Sequence, residues 1–95
     1  MNFGEAIEAL KSGEKVARKG WNGKGMFVYF VQGTDIKAVD LRGAALKHVG
    51  YSQESPDSVV KVSGHIDMKA ADGSIVVGWL ASQTDVLAED WEIAA

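Results

Sequence analysis

A run of apolar residues at positions 26–31 limits how this 95-residue chain can fold. As a β-strand, the run would carry apolar side chains on both faces, so both faces need to be covered. Such a short chain forms one domain, residues 1–95, and buries only about 60–65% of the surface of its unfolded form. We therefore expect one face of this strand to meet a ligand or a second subunit. Any large ligand site should be shallow or shared between subunits.

Sequence patterns around this run predict further short elements. Asn2 with Glu5 matches a capping box, and the apolar spacing that follows predicts an amphipathic helix ending near Gly13. Residues 15–18 predict a strand. The glycines within residues 20–25 predict a loop, because glycine opposes both helix and strand.

Residues 60–80 carry the pattern of a β-hairpin. Apolar and polar side chains alternate from 60 to 69, and Asp72-Gly73 predicts a two-residue turn into residues 74–80. In that register, position 68 faces 77 and position 66 faces 79. Four apolar side chains then share one face: Ile66, Met68, Val77 and Trp79.

The C-terminal residues predict a short helix and a closing strand. Ser82 with Asp85 matches a second capping pattern, and residues 89–93 predict a strand with Trp91 and Ile93 facing inward.

These elements together predict an α+β fold, with a small antiparallel sheet of four to five strands, an N-terminal helix and one or two short helices. Residues 33–58 carry a weak pattern and are predicted to be irregular, with a short helical stretch within 35–49 interrupted by Gly43.

The composition removes several classes of function. Without cysteine the chain has no disulfide, no thiolate zinc site and no cysteine nucleophile. His48 and His65 lack the spacing of metal ligands, and no apolar run approaches the roughly 18–20 residues of a membrane span. The N-terminus lacks the pattern of a secretory signal. We expect a soluble, cytoplasmic protein without a metal or cofactor.

Catalytic residues are not predicted. His65 and Asp67 share a strand face, but they make no triad without a positioned nucleophile, and we interpret them as solvated strand residues. Glu89, Asp90 and Glu92 are interpreted as a solvated acidic edge.

The net charge of −3 hides an uneven distribution. Residues 1–50 carry net +3 and residues 51–95 carry net −6. The acidic total argues against nonspecific nucleic-acid binding, yet the local sign of charge decides what an anion meets. The basic residues between positions 11 and 24 are accompanied by a single acid, Glu14.

The glycine loop at 20–25 is the first candidate ligand site. Its glycine spacing fits neither a P-loop nor a dinucleotide fingerprint. Glycines still let backbone N–H groups approach a ligand, while Arg18, Lys19 and Lys24 supply positive charge and Trp21 supplies a stacking face. That combination suits a nucleotide. The alternative is a turn whose Trp21 packs in the core.

The helix start at residues 82–85 is the second candidate site. Hydroxyls and amides there can bind a phosphate or a ribose, and Asp85 favours ribose hydroxyls because a carboxylate repels anions. The alternative is that these residues only cap the helix.

Several motifs resemble those of a family of phage proteins. They are NFGEA at 2–6, VARKGWNGKGM at 16–26, WLASQTD at 79–85 and AEDW at 88–91, together with the hairpin at 66–73. In these motifs the chain is similar to the second type of Thoeris anti-defence proteins. The resemblance covers essentially the whole chain apart from residues 33–60.

The resemblance implies a protein that sequesters a nucleotide signal and is not an enzyme. Members bind a cyclic ADP-ribose isomer made by the TIR-domain protein of the bacterial Thoeris system, in the host cytoplasm during phage infection. They are α+β homotetramers with nucleotide pockets between subunits, and some also bind cyclic dinucleotides at separate sites. Two other functions stay open: a nucleotide-signal hydrolase, and a protein-interaction module that acts on a host defence protein.

The resemblance and the local charges together imply a set of ligand contacts. We expect Trp21 to stack on the base or cap a ribose, Lys24 or Arg18 to meet the pyrophosphate, and Asp85 or Thr84 to hold ribose hydroxyls. The full set of expected ligand residues is Arg18, Trp21, Asn22, Gly23, Lys24, Gly25, Met26, Ser82, Gln83, Thr84 and Asp85.

Overall fold

The computed structural model describes residues 1–50 and 57–95. The chain forms two compact units: a sheet unit made of Met1–Val31 with His65–Ala95, and an insert unit made of Gln32–Gly64. In chain order the elements are α1 (Phe3–Lys11), β1 (Val16–Arg18), β2 (Phe27–Val31), β3 (Thr34–Lys37), a 3-10 turn (Ala38–Asp40), α2 (Gly43–His48), β4 (Val59–Val62), β5 (His65–Lys69), β6 (Ile75–Val76), α3 (Gln83–Leu87) and β7 (Trp91–Ile93).

The sheet unit contains a five-stranded antiparallel sheet in the order β6-β5-β2-β1-β7, and the insert unit contains the two-stranded sheet β3-β4. The predicted α+β class is therefore confirmed, with the N-terminal helix and the short helices in place. None of the helices in the described ranges is long and apolar enough to cross a membrane.

Local capping accounts for the position of α1. The Asn2 side chain accepts a hydrogen bond from the Glu5 backbone N–H at 2.8 Å, and the Glu5 carboxylate accepts one from the Asn2 N–H at 2.9 Å. The helix ends at Lys11 with Ser12 as its C-cap, and Gly13 follows with a φ of +97°. Both predicted ends of this helix are confirmed.

The core of the sheet unit lies between α1 and one face of the sheet. Ala6 and Leu10 of the helix are buried against Val16, Val28 and Trp91 of three adjacent strands. The predicted inward position of Trp91 is confirmed. Ile93 is 46% exposed, so its predicted inward position is wrong. It is the last residue of β7, which is an edge strand, and the core does not bury that end of the strand.

The predicted hairpin is present, but its turn is longer than two residues. Met68 pairs with Val76 and Lys69 with Ile75, which leaves residues 70–74 as the connection. The Ala70 N–H donates to the Ser74 carbonyl at 2.8 Å. The predicted pairing of 68 with 77 is therefore wrong by one residue. The turn includes Asp72-Gly73 but extends beyond these two residues.

A local bend after β6 separates the two residues predicted to face inward. Gly78 has a φ of +75°, and the next residue, Trp79, donates its N–H to the Ile66 carbonyl at 2.7 Å. Trp79 packs against the core as predicted. Val77 is 71% exposed, so its predicted inward position is wrong.

The insert unit also differs from its prediction. The alternating residues 60–69 form two strands, β4 and β5, that belong to different sheets and are separated at 63–64. Residues 33–58, predicted to be irregular, contain β3 and α2, and α2 begins at Gly43 instead of being interrupted there. These elements are too short for sequence periodicity to reveal. Residues 51–56 of that predicted segment lie outside the described residues.

Candidate functional site

The two motif segments predicted as ligand sites lie beside each other in the sheet unit. β1 pairs with β7, with Arg18 opposite Trp91, so the end of β1 is next to the segment that follows α3. The Arg18 Nη1 donates to Asp85 Oδ1 at 2.9 Å, and the Trp21 Nε1 donates to the same oxygen at 3.2 Å. One oxygen of Asp85 therefore binds two side chains that lie 67 and 64 residues before it in the sequence.

A second carboxylate, Asp90, completes this cluster. Its Oδ1 accepts a hydrogen bond from Arg18 Nε at 2.8 Å, and its Oδ2 accepts one from the Gly20 backbone N–H at 2.8 Å. We call Arg18, Asp85 and Asp90 the arginine clamp. Asp90 was predicted to lie on a solvated edge with Glu89 and Glu92. Those two residues are exposed, but Asp90 is half-buried because it pairs with Arg18, and a contact between residues 72 positions apart leaves no local sequence pattern.

The clamp shifts the pKa of all three of its members toward their charged forms. Burial alone would raise the pKa of Asp85, but hydrogen bonds from Arg18, Trp21 and Ser82 outweigh it and lower that pKa below its ordinary value. The hydrogen bond from Arg18 is the main cause of the lowered pKa of Asp90. Asp90, and then Asp85, raise the pKa of Arg18. The clamp thus carries one net negative charge at neutral pH.

Trp21 packs among other aromatic side chains. Its ring lies edge to face with Trp91 at 5.3 Å and with Trp79 at 6.1 Å between centroids. It is half-buried and packs against the core cluster, as the alternative interpretation of this residue expected. Part of the Trp21 ring remains accessible to solvent. Its stacking on a ligand therefore stays a prediction.

The rest of the loop combines exposed and packed positions. Asn22, Lys24 and Gly25 are exposed, whereas Met26 packs against the core cluster. Gly25 has a φ of +74°, a conformation that favours glycine. A Cβ atom at Gly23 would lie 2.6 Å from the Ala71 Cβ, so close packing requires glycine there.

The start of α3 is a complete capping box. The Ser82 Oγ accepts a hydrogen bond from the Asp85 N–H at 3.1 Å, and Asp85 Oδ2 accepts one from the Ser82 N–H at 3.4 Å. Ser82, Gln83 and Thr84 are exposed beside the clamp. Asp85 therefore caps the helix and also holds Arg18 and Trp21, while contact of this segment with a ligand stays a prediction.

An open groove of about 680 Å³ lies on the sheet face opposite α1. Val28 of β2 points into the core, so its neighbours Phe27 and Tyr29 point to this second face. The Lys15 and Lys69 ammonium groups lie 4.6 and 5.6 Å from the centroid of the Phe27 ring. Sequence analysis predicted only that this face needs cover. It missed the two lysines, because the pairing of Phe27 with Lys69 depends on strand register.

The His65 Nε2 atom lies 3.4 Å from Asp67 Oδ1 on the same strand. Asp67 is only 6% exposed and also accepts a hydrogen bond from the Gly78 N–H at 2.9 Å, so its predicted solvated position is wrong. The described residues contain no cluster of histidine and acidic side chains able to hold a metal ion.

Fold and site together define a small α+β protein in which a tryptophan-bearing glycine loop is tied to the start of a distant helix. Comparison with known proteins gives this class a family. The chain belongs to the Tad2-like family, described as the Thoeris anti-defense 2-like domain, whose model matches residues 1–94. It is also similar to the protein named Thoeris anti-defense 2 from Bacillus phage SP01, with 43% identity over 95 residues that cover 100% of this chain and 96% of the relative. The resemblance noted in the sequence motifs is confirmed.

Proposed function

We propose that this protein blocks bacterial Thoeris defence by binding a cyclic nucleotide immune signal and holding it without degrading it. The signal is glycocyclic ADP-ribose made by a TIR-domain protein. Membership of the Thoeris anti-defense 2-like family over residues 1–94 is the observation that carries the proposal. No enzyme family is indicated by the comparisons, which favours sequestration over the alternative of a nucleotide-signal hydrolase.

The proposed site is formed by the loop at 21–26 and the helix start at 82–85. Its support is the direct contact of Trp21 and Arg18 with Asp85, which joins the two segments. In this site the accessible part of the Trp21 ring stacks on the base or caps a ribose, and Thr84 binds ribose hydroxyls.

The charges of the site favour Lys24 over Arg18 as the pyrophosphate contact. Arg18 is balanced by two carboxylates, and only 16% of its side chain is exposed. Lys24 is exposed on the loop beside backbone N–H groups of glycine. We therefore assign the pyrophosphate to Lys24.

The groove on the opposite sheet face is the proposed place for a cyclic dinucleotide. Its volume of about 680 Å³ falls within the usual range of small-molecule sites, and Lys15 and Lys69 flank an aromatic floor. This part of the proposal is separate from the site at Trp21. If the groove binds no cyclic dinucleotide, the proposal for the Trp21 site is unaffected.

We propose that residues 1–95 act as a single nucleotide-sequestering domain in a homotetramer in the host cytoplasm. Nanomolar affinity corresponds to roughly 12 kcal/mol of binding free energy, which favours enclosure between subunits over an open surface. Exposed apolar residues such as Leu80 and Leu87, 90% and 75% exposed, are available for such contacts.

Isothermal titration calorimetry with glycocyclic ADP-ribose tests the proposed site. We expect Lys24→Gln to weaken binding tenfold or more, because it removes a direct charge contact with the pyrophosphate. Lys11→Gln is the matched control, since it removes an exposed lysine from α1 and should bind like wild type. Equal affinity of the two variants would remove Lys24 from the site.

The interaction-module alternative is tested with the same ligand. A sequestering protein melts at a higher temperature when the ligand is present, since the ligand binds only the folded state. A protein that only grips a host factor shows no such rise, and that result would reject the proposal.

A further inference from the structure

We propose that Asp90 is a positioning residue that pre-forms the ligand loop before the nucleotide arrives. The inference rests on the proposed function, because it assigns a role within the same site. It follows from the contacts of one side chain that sequence analysis had placed on a solvated edge.

Asp90 binds three consecutive residues at the entrance of the loop. Its carboxylate accepts hydrogen bonds from Arg18 Nε and from the Gly20 N–H, both at 2.8 Å, and its carbonyl accepts the Lys19 N–H at 3.1 Å. A Cβ atom at Gly20 would lie 2.9 Å from Asp90 Oδ2, so any side chain at this position would have to displace the carboxylate. The first residues of the loop are thereby fixed in place.

The same carboxylate also sets the direction of Trp21. Arg18 donates one hydrogen bond to Asp90 and another, from Nη1, to Asp85 Oδ1. The same Asp85 oxygen accepts the Trp21 indole N–H. The Trp21 backbone N–H in turn donates to the Arg18 carbonyl at 3.2 Å. Both the backbone and the ring of Trp21 therefore depend on Arg18, which Asp90 orients.

Both oxygens of Asp90 are occupied by these donors, so its effect on a ligand is indirect. A loop rich in glycine loses much conformational freedom when it is ordered, and a loop that is already ordered binds without that cost. If only a fraction of molecules has the loop formed, the apparent affinity falls by that fraction. Loss of Asp90 should then slow association, whereas loss of a direct contact should speed dissociation.

The test compares Asp90→Asn with Glu92→Gln, which removes the same charge from an exposed position in β7, two residues further along the chain. We expect Asp90→Asn to weaken binding of glycocyclic ADP-ribose about tenfold, mainly through a slower association rate measured by stopped-flow fluorescence, while Glu92→Gln binds like wild type. An unchanged association rate in Asp90→Asn would overturn the proposal.

A second readout needs no ligand and separates this inference from the proposed function. The Trp21 indole N–H resonance in a ¹H–¹⁵N NMR spectrum should move away from its hydrogen-bonded position in Asp90→Asn and stay in place in Glu92→Gln. Should Asp90→Asn fail to fold, Gly20→Ala keeps every charge and displaces the carboxylate by its Cβ, and the same shift is expected. An unmoved indole resonance in the folded variant contradicts the inference even where glycocyclic ADP-ribose does not bind at all.

Discussion

Arg18 illustrates how far a single residue can be interpreted from sequence. Its charge and its place next to the glycine loop suggested an anion contact. In the fold, its guanidinium lies between Asp85 and Asp90, at 2.9 and 2.8 Å. Neither carboxylate is near Arg18 in sequence, and their pairing follows from the contact between β1 and β7. Motif and charge therefore predicted a candidate site, while the pairing of Arg18 with two carboxylates became visible only in the structure.

The arginine clamp predicts a defined loss of stability in acid. The pKa values of Asp85 and Asp90 lie below the ordinary value of 3.8 in the folded state. Groups with a lowered pKa contribute stability above the unfolded pKa and lose it as the pH falls through the folded value. We expect the urea midpoint to be steady from pH 7 to about 5 and to fall below about pH 4.

The variant Asp85→Asn/Asp90→Asn checks the source of this acid dependence. Its urea midpoint should be lower than that of wild type at pH 7, and the difference should shrink toward pH 2. A constant difference between the two proteins over the whole range would show that other groups control acid unfolding.

At the scale of elements, the two capped helices were predicted well and the register of the β5-β6 hairpin was not. A capping box is contained in four consecutive residues, as at Asn2–Glu5 and Ser82–Asp85, so sequence reveals it directly. Register depends on the length of turns and on bends. The turn at 70–74 and the positive φ of Gly78 shifted the predicted pairing.

The cap of α3 gives a prediction of its own. Ser82→Ala removes the hydroxyl that accepts the Asp85 N–H, and we expect a loss of about 1 kcal/mol in the free energy of unfolding. Gln83→Ala, at the next position, which is also exposed, should change it by less than about 0.5 kcal/mol. Urea denaturation at pH 7 measures both. A cost no larger than that of the control would mean that the cap is dispensable.

Gly33 provides a test within the insert unit. A Cβ atom there would lie 2.8 Å from the Gly64 backbone N and 2.9 Å from the Val62 carbonyl O, and backbone atoms cannot move aside as a flexible side chain can. We expect Gly33→Ala to lower the melting temperature. Gly4→Ala should leave it unchanged or raise it, because Gly4 lies in α1 with only an Asn2 oxygen nearby at 3.4 Å. A melting temperature of Gly33→Ala equal to that of wild type would show that the backbone at Val62 and Gly64 moves away from residue 33 without loss of stability.

On the scale of the whole molecule, the sequence indicated the α+β class and the family motifs but not the arrangement of the second sheet face. The run at 26–31 predicted two faces in need of cover, and the structure covers one with α1 and leaves a groove lined by Phe27 and Tyr29 on the other. No periodicity within one chain can say what binds such a face.

Recovery of the nucleotide tests the central claim most directly. The protein is mixed with a substoichiometric amount of glycocyclic ADP-ribose, passed through a membrane that retains protein, and then heat-denatured, with the nucleotide measured by mass spectrometry at each step. The proposed function predicts that the filtrate is depleted of nucleotide and that heating releases it with its mass and retention time unchanged. Nucleotide that stays in the filtrate, or that reappears as a product of different mass, would contradict sequestration.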